Sequence, residues 1–299
     1  MPIRFALVGA TGVGKTNLAL TLAEKSGSEI IGVDSRQLYR SFCIGTAQPS
    51  LSDLERVPHH LVHFLEPQES YSAGQFCKEV RQIIQENPEK NFILVGGTGL
   101  YLQSLILGLP EIPPITEATR RQLKEELALD GLASMYKKAV EIDATAMKRV
   151  SENDTQRILR VLEVFTQTGE QLSAIRAIRF GGLGPIKTFF LNRSRASLYA
   201  RINERVDQMM GAGWLDEVTT LQTKFSVDAP AWQSLGYKEL LGVSQGKKEL
   251  TEAIYLIQKE TRHFAKRQLT WFKHQIETEE IDLDEGEKKA ELQILKQIL

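Results

Sequence analysis

Short apolar runs alternate with helical spacing in the first part of the chain. The runs end in polar or glycine-rich turns and lie at residues 5–8, 29–33, 61–65, 92–95 and 187–191. Between most of them, apolar residues recur three and four positions apart, at residues 17–25, 72–86 and 100–107. This alternation predicts βαβ units and a parallel sheet that is buried on both faces.

The helical spacing becomes continuous after residue 110. Prolines mark this boundary in the stretch LPEIPPITEATRRQL, and only helical spacing follows until residue 171. Residues 172–187 are rich in glycine and lead into the last apolar run. We therefore expect an all-helical insertion domain at residues 111–183, within an α/β core formed by residues 1–110 and 184–299.

The last third of the chain is predicted to be mostly helical, over residues 196–275. Beyond it, residues 277–291 carry eight acidic and two basic side chains. A charge run of this kind is typical of a surface helix or tail that is surrounded by solvent.

Composition excludes several classes of protein. The 299 residues have a formal net charge of −1, so any nucleic-acid surface has to be a local cluster of charge. Only two cysteines are present, Cys43 and Cys77, which argues against a disulfide framework and favours a reducing compartment. No apolar segment is long enough for a membrane span, and the N-terminus lacks the pattern of a signal peptide. We therefore expect a cytoplasmic protein that is a monomer and has no membrane partner.

The sequence GATGVGKT follows the first apolar run and has the spacing G-x-x-x-x-G-K-T. Glycines let successive backbone N–H groups turn toward one point, and the following helix adds the positive end of its dipole. The lysine supplies a charge, and the hydroxyl of Thr16 is the predicted ligand for a Mg²⁺ ion that bridges phosphate oxygens. The predicted residues for binding a diphosphate or nucleotide are Gly9, Ala10, Thr11, Gly12, Val13, Gly14, Lys15 and Thr16.

Asp34 follows the second apolar run, in EIIGVDSRQLYRSF. In a parallel sheet, this carboxyl end of the strand faces the phosphate loop. Asp34 could therefore hold Mg²⁺ through water or act as a general base, and it could instead cap a following helix. The run FILV ends in Gly96, Gly97 and Thr98, where many kinases and ATPases carry an acidic residue. This difference weakens an ATPase interpretation.

Eight motifs occur in a fixed order along nearly the whole chain, up to about residue 275. They are GATGVGKT, VDSRQLY, GTAQP, VPHHLVHFLEPQESYSAGQF, LVGGTGLYLQSLILGL, NDTQRILRVLEVFTQTG, QSLGYKEL and TRHFAKRQLTWFK. Together they resemble the bacterial tRNA dimethylallyltransferases, also called tRNA isopentenyl transferases. The phosphate loop alone occurs in many families, whereas the ordered set is highly specific.

The resemblance implies that the loop binds dimethylallyl diphosphate and that the diphosphate is the leaving group. The five-carbon group would go to the exocyclic N6 amine of the adenosine at tRNA position 37, next to the anticodon. Asp34 matches the general base of the family, and Arg205 matches an arginine that contacts the diphosphate. From spacing alone, Arg201 and Arg205 could equally be an exposed pair on one helical face. The predicted catalytic residues are Asp34, Lys15, Thr16 and Arg205, and Mg²⁺ is the predicted cofactor.

Basic residues cluster locally in two helical segments. Arg157 and Arg160 are three apart, and residues 256–274 carry five Lys or Arg side chains against one Glu, interleaved with aromatic residues. This mixture is typical of surfaces that bind looped RNA, although an amphipathic helix would bury the same aromatics. The expected partner is the anticodon stem-loop of tRNA, gripped by the helical insertion. Together with the resemblance, the predicted tRNA-binding residues are Asp34, Ser35, Arg36, Gln37, Thr98, Arg120, Gln156, Arg157, Ile158, Leu159, Arg160, Lys266 and Arg267.

Three other functions stay open on the residues alone. An adenylate isopentenyltransferase acts on free AMP, ADP or ATP and needs no RNA surface, so the helical insertion and the segment KRQLTWFK argue against it. A small-molecule kinase would use the insertion as a lid, and the missing acidic residue after FILV argues against it. A non-catalytic RNA-binding module would not need the intact phosphate loop and Asp34.

Overall fold

The computed structural model describes residues 2–298, which form two compact units. One unit comprises Leu105–Gly184, and the other is formed by the chain before and after it. The first of these contains the whole of the segment expected as a helical insertion, residues 111–183.

The larger unit is built on a six-stranded sheet. Its strands are β1 (Ile3–Gly9), β2 (Ser28–Val33), β3 (His59–His60), β4 (Asn91–Gly96), β5 (Thr188–Asn192) and β6 (Glu279–Asp282). Their order across the sheet is β3-β2-β4-β1-β5-β6, and all neighbouring strands are parallel. The central strands consist of nearly continuous apolar runs because helices cover both faces of a parallel sheet. The α/β fold class predicted from the alternation is confirmed.

Thirteen α-helices lie within the described residues, together with a short 3-10 turn at Pro230–Gln233. They are α1 (Lys15–Ser26), α2 (Leu51–Arg56), α3 (Ala73–Glu86), α4 (Gly99–Leu107), α5 (Glu117–Ile142), α6 (Ala144–Met147), α7 (Thr155–Thr168), α8 (Leu172–Ala177), α9 (Arg195–Gly211), α10 (Trp214–Lys224), α11 (Tyr237–Ser244), α12 (Leu250–Gln275) and α13 (Glu287–Ile298). None of these helices combines the length and the apolar composition that crossing a membrane requires.

Two apolar clusters support the larger unit, and a third lies within Leu105–Gly184. The first joins side chains of β1, β5 and α1. In the second, the Phe42 ring centroid lies 5.2 Å from that of Trp232 and 4.8 Å from that of Tyr237. This second cluster anchors the chain segment that follows β2.

The third strand is shorter and begins earlier than the apolar pattern predicts, so the prediction of a strand at residues 61–65 is wrong. Leu61 and His63 have positive φ angles of 58° and 53°, which a strand does not allow. Leu65 makes only an isolated bridge with Tyr39 and packs in the second apolar cluster. The apolar side chains of this segment thus reflect burial in that cluster and not membership of the sheet.

The acidic C-terminal segment is part of the fold: it ends in a helix with mostly exposed side chains, as predicted, but it begins with a strand of the sheet, which the prediction does not include. Strand β6 pairs with β5 and buries Ile281. In α13, Ile294 packs in the cluster that contains α1, and Glu291, only 6% exposed, forms an ion pair with Lys25 of α1. The many charges of this segment conceal the few apolar positions that bury it.

Candidate active site

The phosphate loop joins β1 to α1 at the carboxyl end of the sheet. Gly12 and Gly14 have φ angles of 79° and 110°, a region that side-chain-bearing residues avoid. Gly14 precedes α1, and no side chain caps that helix N-terminus. The first N–H groups of α1 therefore remain available to an anion.

Two arginines from the chain after the insertion hold the outside of the loop. Arg201 Nε donates to the carbonyl oxygen of Gly12 at 3.1 Å, and Arg193 Nε donates to that of Val13 at 2.9 Å. The C=O and N–H groups of one peptide unit point in opposite directions. The N–H groups that follow these carbonyls consequently point away from the arginines, which suits a loop that binds phosphate on its other side.

Lys15, Asp34 and Arg205 form the charged centre of the site. Lys15 Nζ donates to the carbonyl oxygens of Gly9 at 3.0 Å and Ala10 at 2.9 Å. Burial lowers the pKa of the Lys15 ammonium to about 8, while the charge of Asp34 opposes this shift and that of Arg205 adds to it. Burial also lowers the pKa of the Arg205 guanidinium, again opposed by Asp34. The three side chains thus interact electrostatically, as expected of an anion-binding centre with an adjacent carboxylate.

Asp34 is oriented by the turn that follows β2. Its Oδ1 atom accepts hydrogen bonds from the backbone N–H groups of Arg36 at 2.8 Å and Gln37 at 3.3 Å. The residues after Asp34 form bends and turns, so the carboxylate caps a turn and not a helix. Within residues 2–298, the Oδ2 atom accepts no hydrogen bond, and it is the oxygen that remains able to take a proton.

The glycine turn after β4 lies directly beside this carboxylate. Thr98 Oγ1 accepts a hydrogen bond from the Ser35 N–H at 3.0 Å, and the Thr98 N–H donates to the Val33 carbonyl at 3.0 Å. The structure therefore brings together the predicted residues at the ends of β2 and β4. Thr16 is the last residue of the phosphate-loop motif. Arg205 lies beside the same loop, because its Nη1 atom donates to Thr11 Oγ1 at 3.5 Å.

A cleft of about 930 Å³ opens next to Arg205. It lies between α9 and the segment at residues 43–63, all within the larger unit. Its wall includes the apolar side chains of Ile44, Leu51, Leu54, Val62 and Met209. The charged centre thus borders a surface that suits a hydrocarbon group.

Glu217 and Tyr237 support the wall of this cleft, although neither is among the predicted site residues. Glu217 Oε2 accepts hydrogen bonds from the N–H groups of Cys43 at 3.0 Å and Ile44 at 2.9 Å. Tyr237 Oη donates to Glu217 Oε1 at 2.7 Å and accepts from the Gly45 N–H at 3.1 Å. Burial, together with the charge of Glu217, raises the pKa of the Tyr237 hydroxyl. Tyr237 therefore stays a neutral donor that fixes the loop.

The sequence and the fold that carry this site resemble those of known proteins. The family model described as IPP transferase matches residues 37–275. The chain belongs to this family. It is 43% identical to the tRNA dimethylallyltransferase of Syntrophobacter fumaroxidans, over 89% of this chain and 80% of the relative.

Two solved structures of this kind resemble the fold. The crystal structure of tRNA delta(2)-isopentenylpyrophosphate transferase from Staphylococcus epidermidis has a TM-score of 0.72 at 32% identity, covering 100% of this chain and 99% of that one. A eukaryotic dimethylallyltransferase acting on tRNA has a TM-score of 0.79 at 28% identity, covering 98% of this chain and 77% of that one. The likeness therefore extends over the whole of this IPP transferase family member.

The two basic residues of α12 that are predicted to contact tRNA face solvent in this family member. Lys266 and Arg267 are exposed, and the Arg267 guanidinium lies 5.7 Å from the ring centroid of Phe264, itself 37% exposed. Phe272, in contrast, is buried against Phe190. Each alternative for the aromatic residues thus holds at one position. Phe264 lies on the surface beside Arg267, whereas Phe272 belongs to the buried face of the helix.

The remaining predicted tRNA-binding residues belong to the smaller unit, with Arg120 on α5 and Gln156–Arg160 at the start of α7. Arg157 is exposed and pairs with Asp154 at 3.3 Å. Ile158, also predicted to bind tRNA, has a fully buried side chain that packs in the core of this unit. Arg176 is a further basic residue of this unit that was not predicted. Burial lowers the pKa of its guanidinium, and the nearby positive charges of Arg160 and Arg179 lower it further. The basic cluster of this unit is therefore larger than the sequence motif indicates.

Proposed function

We propose that this protein transfers the dimethylallyl group of dimethylallyl diphosphate to the N6 amine of the adenosine at tRNA position 37 and releases diphosphate. One observation carries the proposal: the phosphate loop and Arg205 meet a carboxylate with an unengaged oxygen, Asp34 Oδ2, at one edge of the sheet. Membership of the IPP transferase family supports it. With tRNA as its substrate, the protein would act in the cytoplasm, as a monomer.

The phosphate loop would stabilise the leaving group. As the C–O bond of the allylic diphosphate breaks, its electron pair moves to the bridging oxygen. Lys15, Arg205 and the N–H groups at the start of α1 stand ready to bind that negative charge. Preorganised donors of this kind are worth about 2.7–4 kcal/mol each in the transition state.

Asp34 would act as the general base. The exocyclic amine of adenosine is weakly basic and has to lose a proton as the new C–N bond forms. Because Oδ1 is held by the turn, Oδ2 would accept that proton. The apolar wall of the cleft beside Arg205 would hold the five-carbon chain, and Thr98 would border the adenosine.

Thr16 fits the role of a magnesium ligand. It is exposed in the first turn of α1, and its hydroxyl makes no hydrogen bond with the described residues. When bound, Mg²⁺ would supply positive charge that stabilises the leaving diphosphate. The threonine of the phosphate loop is the side chain that would hold it.

The proposed function is tested by supplying radiolabelled dimethylallyl diphosphate together with either unmodified tRNA or AMP. We expect label in tRNA and not in AMP, in a reaction that needs Mg²⁺ but no ATP. Label in AMP would indicate an adenylate isopentenyltransferase. ATP hydrolysis coupled to tRNA turnover would overturn the proposal and favour a kinase-type enzyme.

The activity is expected to decline at alkaline pH because of Lys15. With a pKa of about 8, its ammonium is charged below this pH and neutral above it. Since kcat/KM reports the ionisation of the free enzyme, kcat/KM for dimethylallyl diphosphate should fall as pH rises through about 8. Rates measured from pH 6.5 to 9.5 check this. The residual activity of Lys15→Ala serves as the control and should lack the decline; a decline that persists in this variant assigns the ionisation to another group.

Replacing Lys266 and Arg267 together with Ala is expected to weaken tRNA binding. Each lost phosphate contact should reduce the slope of log affinity against log salt by about 0.7–0.9. Affinity for dimethylallyl diphosphate should stay the same because the phosphate loop is untouched.

The matched control replaces Lys247 and Lys248, which precede α12, and removes the same charge. Filter binding over a salt series measures both variants, and thermal melting confirms that they fold. Equal slopes in the two double variants would mean that Lys266 and Arg267 do not contact RNA, and the contacts would then be sought at Arg157 and Arg160.

A further inference from the structure

One buried side chain joins the phosphate loop to the glycine turn after β4. Gln268 of α12 is only 8% exposed. Its Oε1 atom accepts a hydrogen bond from the Thr11 N–H at 2.8 Å, and its Nε2 atom donates to the Gly97 carbonyl at 2.9 Å. Both ends of the amide are therefore bound to backbone, one in each segment of the site.

The fit between this amide and the glycine turn is close. A Cβ atom at position 97 would lie 2.3 Å from Gln268 Nε2, well inside contact distance. Only glycine at position 97 allows the amide to approach the backbone in this way. Gly97 and Gln268 thus form one packed unit.

The two segments that Gln268 joins serve different halves of the reaction. Thr11 belongs to the loop for the diphosphate, and its side chain contacts Arg205. Gly97 leads into Thr98, whose hydroxyl holds the Ser35 N–H beside the carboxylate of the base. The distance between these segments sets how far the reacting carbon lies from the amine that attacks it.

We infer that Gln268 is a positioning residue, which fixes the spacing between the bound diphosphate and the adenosine amine without touching either. This inference rests on the proposed function. Removing the amide leaves the partly buried Thr11 N–H and the buried Gly97 C=O without these partners, and the two segments then shift to find others. In group transfer, a misplacement of about 1 Å can cost about 100-fold in rate.

The test is Gln268→Leu, which keeps the size of the side chain and removes both hydrogen bonds. We expect kcat for tRNA prenylation to fall roughly 10- to 100-fold. The dissociation constants of inorganic pyrophosphate and of tRNA, measured by calorimetry, should change less than about threefold, since each binding segment stays intact. Gln258→Leu is the matched control on the same helix. Among the described residues, the side chain of Gln258 donates only to Asp207, so this variant should retain full activity.

Gln268→Glu provides a second variant that distinguishes positioning from general damage. The carboxyl group can accept from Thr11 in either state but can donate to the Gly97 carbonyl only when protonated. The ratio of variant kcat to wild-type kcat should therefore rise as the pH falls from 8 to 6. Dividing by the wild-type value at each pH removes the pH dependence that both proteins share.

Three outcomes would overturn the inference: full kcat in a folded Gln268→Leu, an equal loss of kcat and of pyrophosphate affinity, or a flat ratio for Gln268→Glu. Transfer of label by the wild-type protein tests the proposed function separately. Only the ratio of each variant to the wild type tests Gln268, so the two failures can be told apart.

Discussion

Asp34→Asn is expected to lower kcat by roughly 10²–10⁴-fold, the usual contribution of a general base. The amide oxygen of asparagine can still accept hydrogen bonds from the N–H groups of Arg36 and Gln37, so the turn should persist. What the substitution removes is the ability of the second oxygen to take a proton. Affinity for tRNA should stay nearly unchanged, since asparagine keeps the size of the side chain and the basic residues are untouched.

Asp34→Ala separates the two functions of this carboxylate. It removes both the base and the acceptor of the turn, so we expect a similar loss of kcat and a lower melting temperature. Single-turnover rates and thermal melting of the two variants provide the measurement. A fall in kcat of less than about tenfold in Asp34→Asn would disprove the role of general base.

Lys15→Met should lower kcat/KM for dimethylallyl diphosphate by about 10²–10³-fold, the effect of removing one charged donor from a developing anion. The free energy of unfolding at pH 7, in contrast, should not decrease. The folded protein lowers the pKa of Lys15, so its charged form is disfavoured in the fold relative to the unfolded chain below pH 8. Removing that charge relieves the cost, and the melting temperature should stay the same or rise.

Lys78→Met provides the control for this variant, because Lys78 is exposed on α3, away from the phosphate loop. Its activity and its melting temperature should equal those of the wild type. A lower melting temperature for Lys15→Met would show that the ammonium supports the loop through Gly9 and Ala10. A kcat/KM within about threefold of the wild type would remove Lys15 from the binding of the diphosphate.

The central strands of the sheet could be predicted because they are buried on both faces. A run such as Phe5–Val8 has no polar position to interrupt it, and its direct continuation into GATGVGKT located the phosphate loop. Asp34 and Thr98 were identified in the same way, as polar residues that end apolar strands. Parallel topology then forces such strand ends to the same edge of the sheet.

Other features depend on contacts that local patterns do not contain. Strand β6 pairs along one edge only and carries charge on its exposed positions, so its sequence pattern predicts an acidic tail. Gln268 lies among the basic residues of α12, and nothing near it in the chain indicates that it meets Thr11 and Gly97. Glu217 is likewise an ordinary acidic residue of a surface helix until the fold brings Tyr237 beside it.

The position of β1 in the sheet has a consequence for how the protein is made. Ala6 of β1 pairs with Thr188 of β5, and the segment Leu105–Gly184 lies between them in the chain. On the ribosome, one edge of β1 must therefore wait with open hydrogen-bonding groups until the whole intervening segment has emerged. Late, non-local pairing slows folding, and an open strand edge can bind other chains. Until β5 emerges, the strand that leads into the phosphate loop is thus an edge with which other chains can pair.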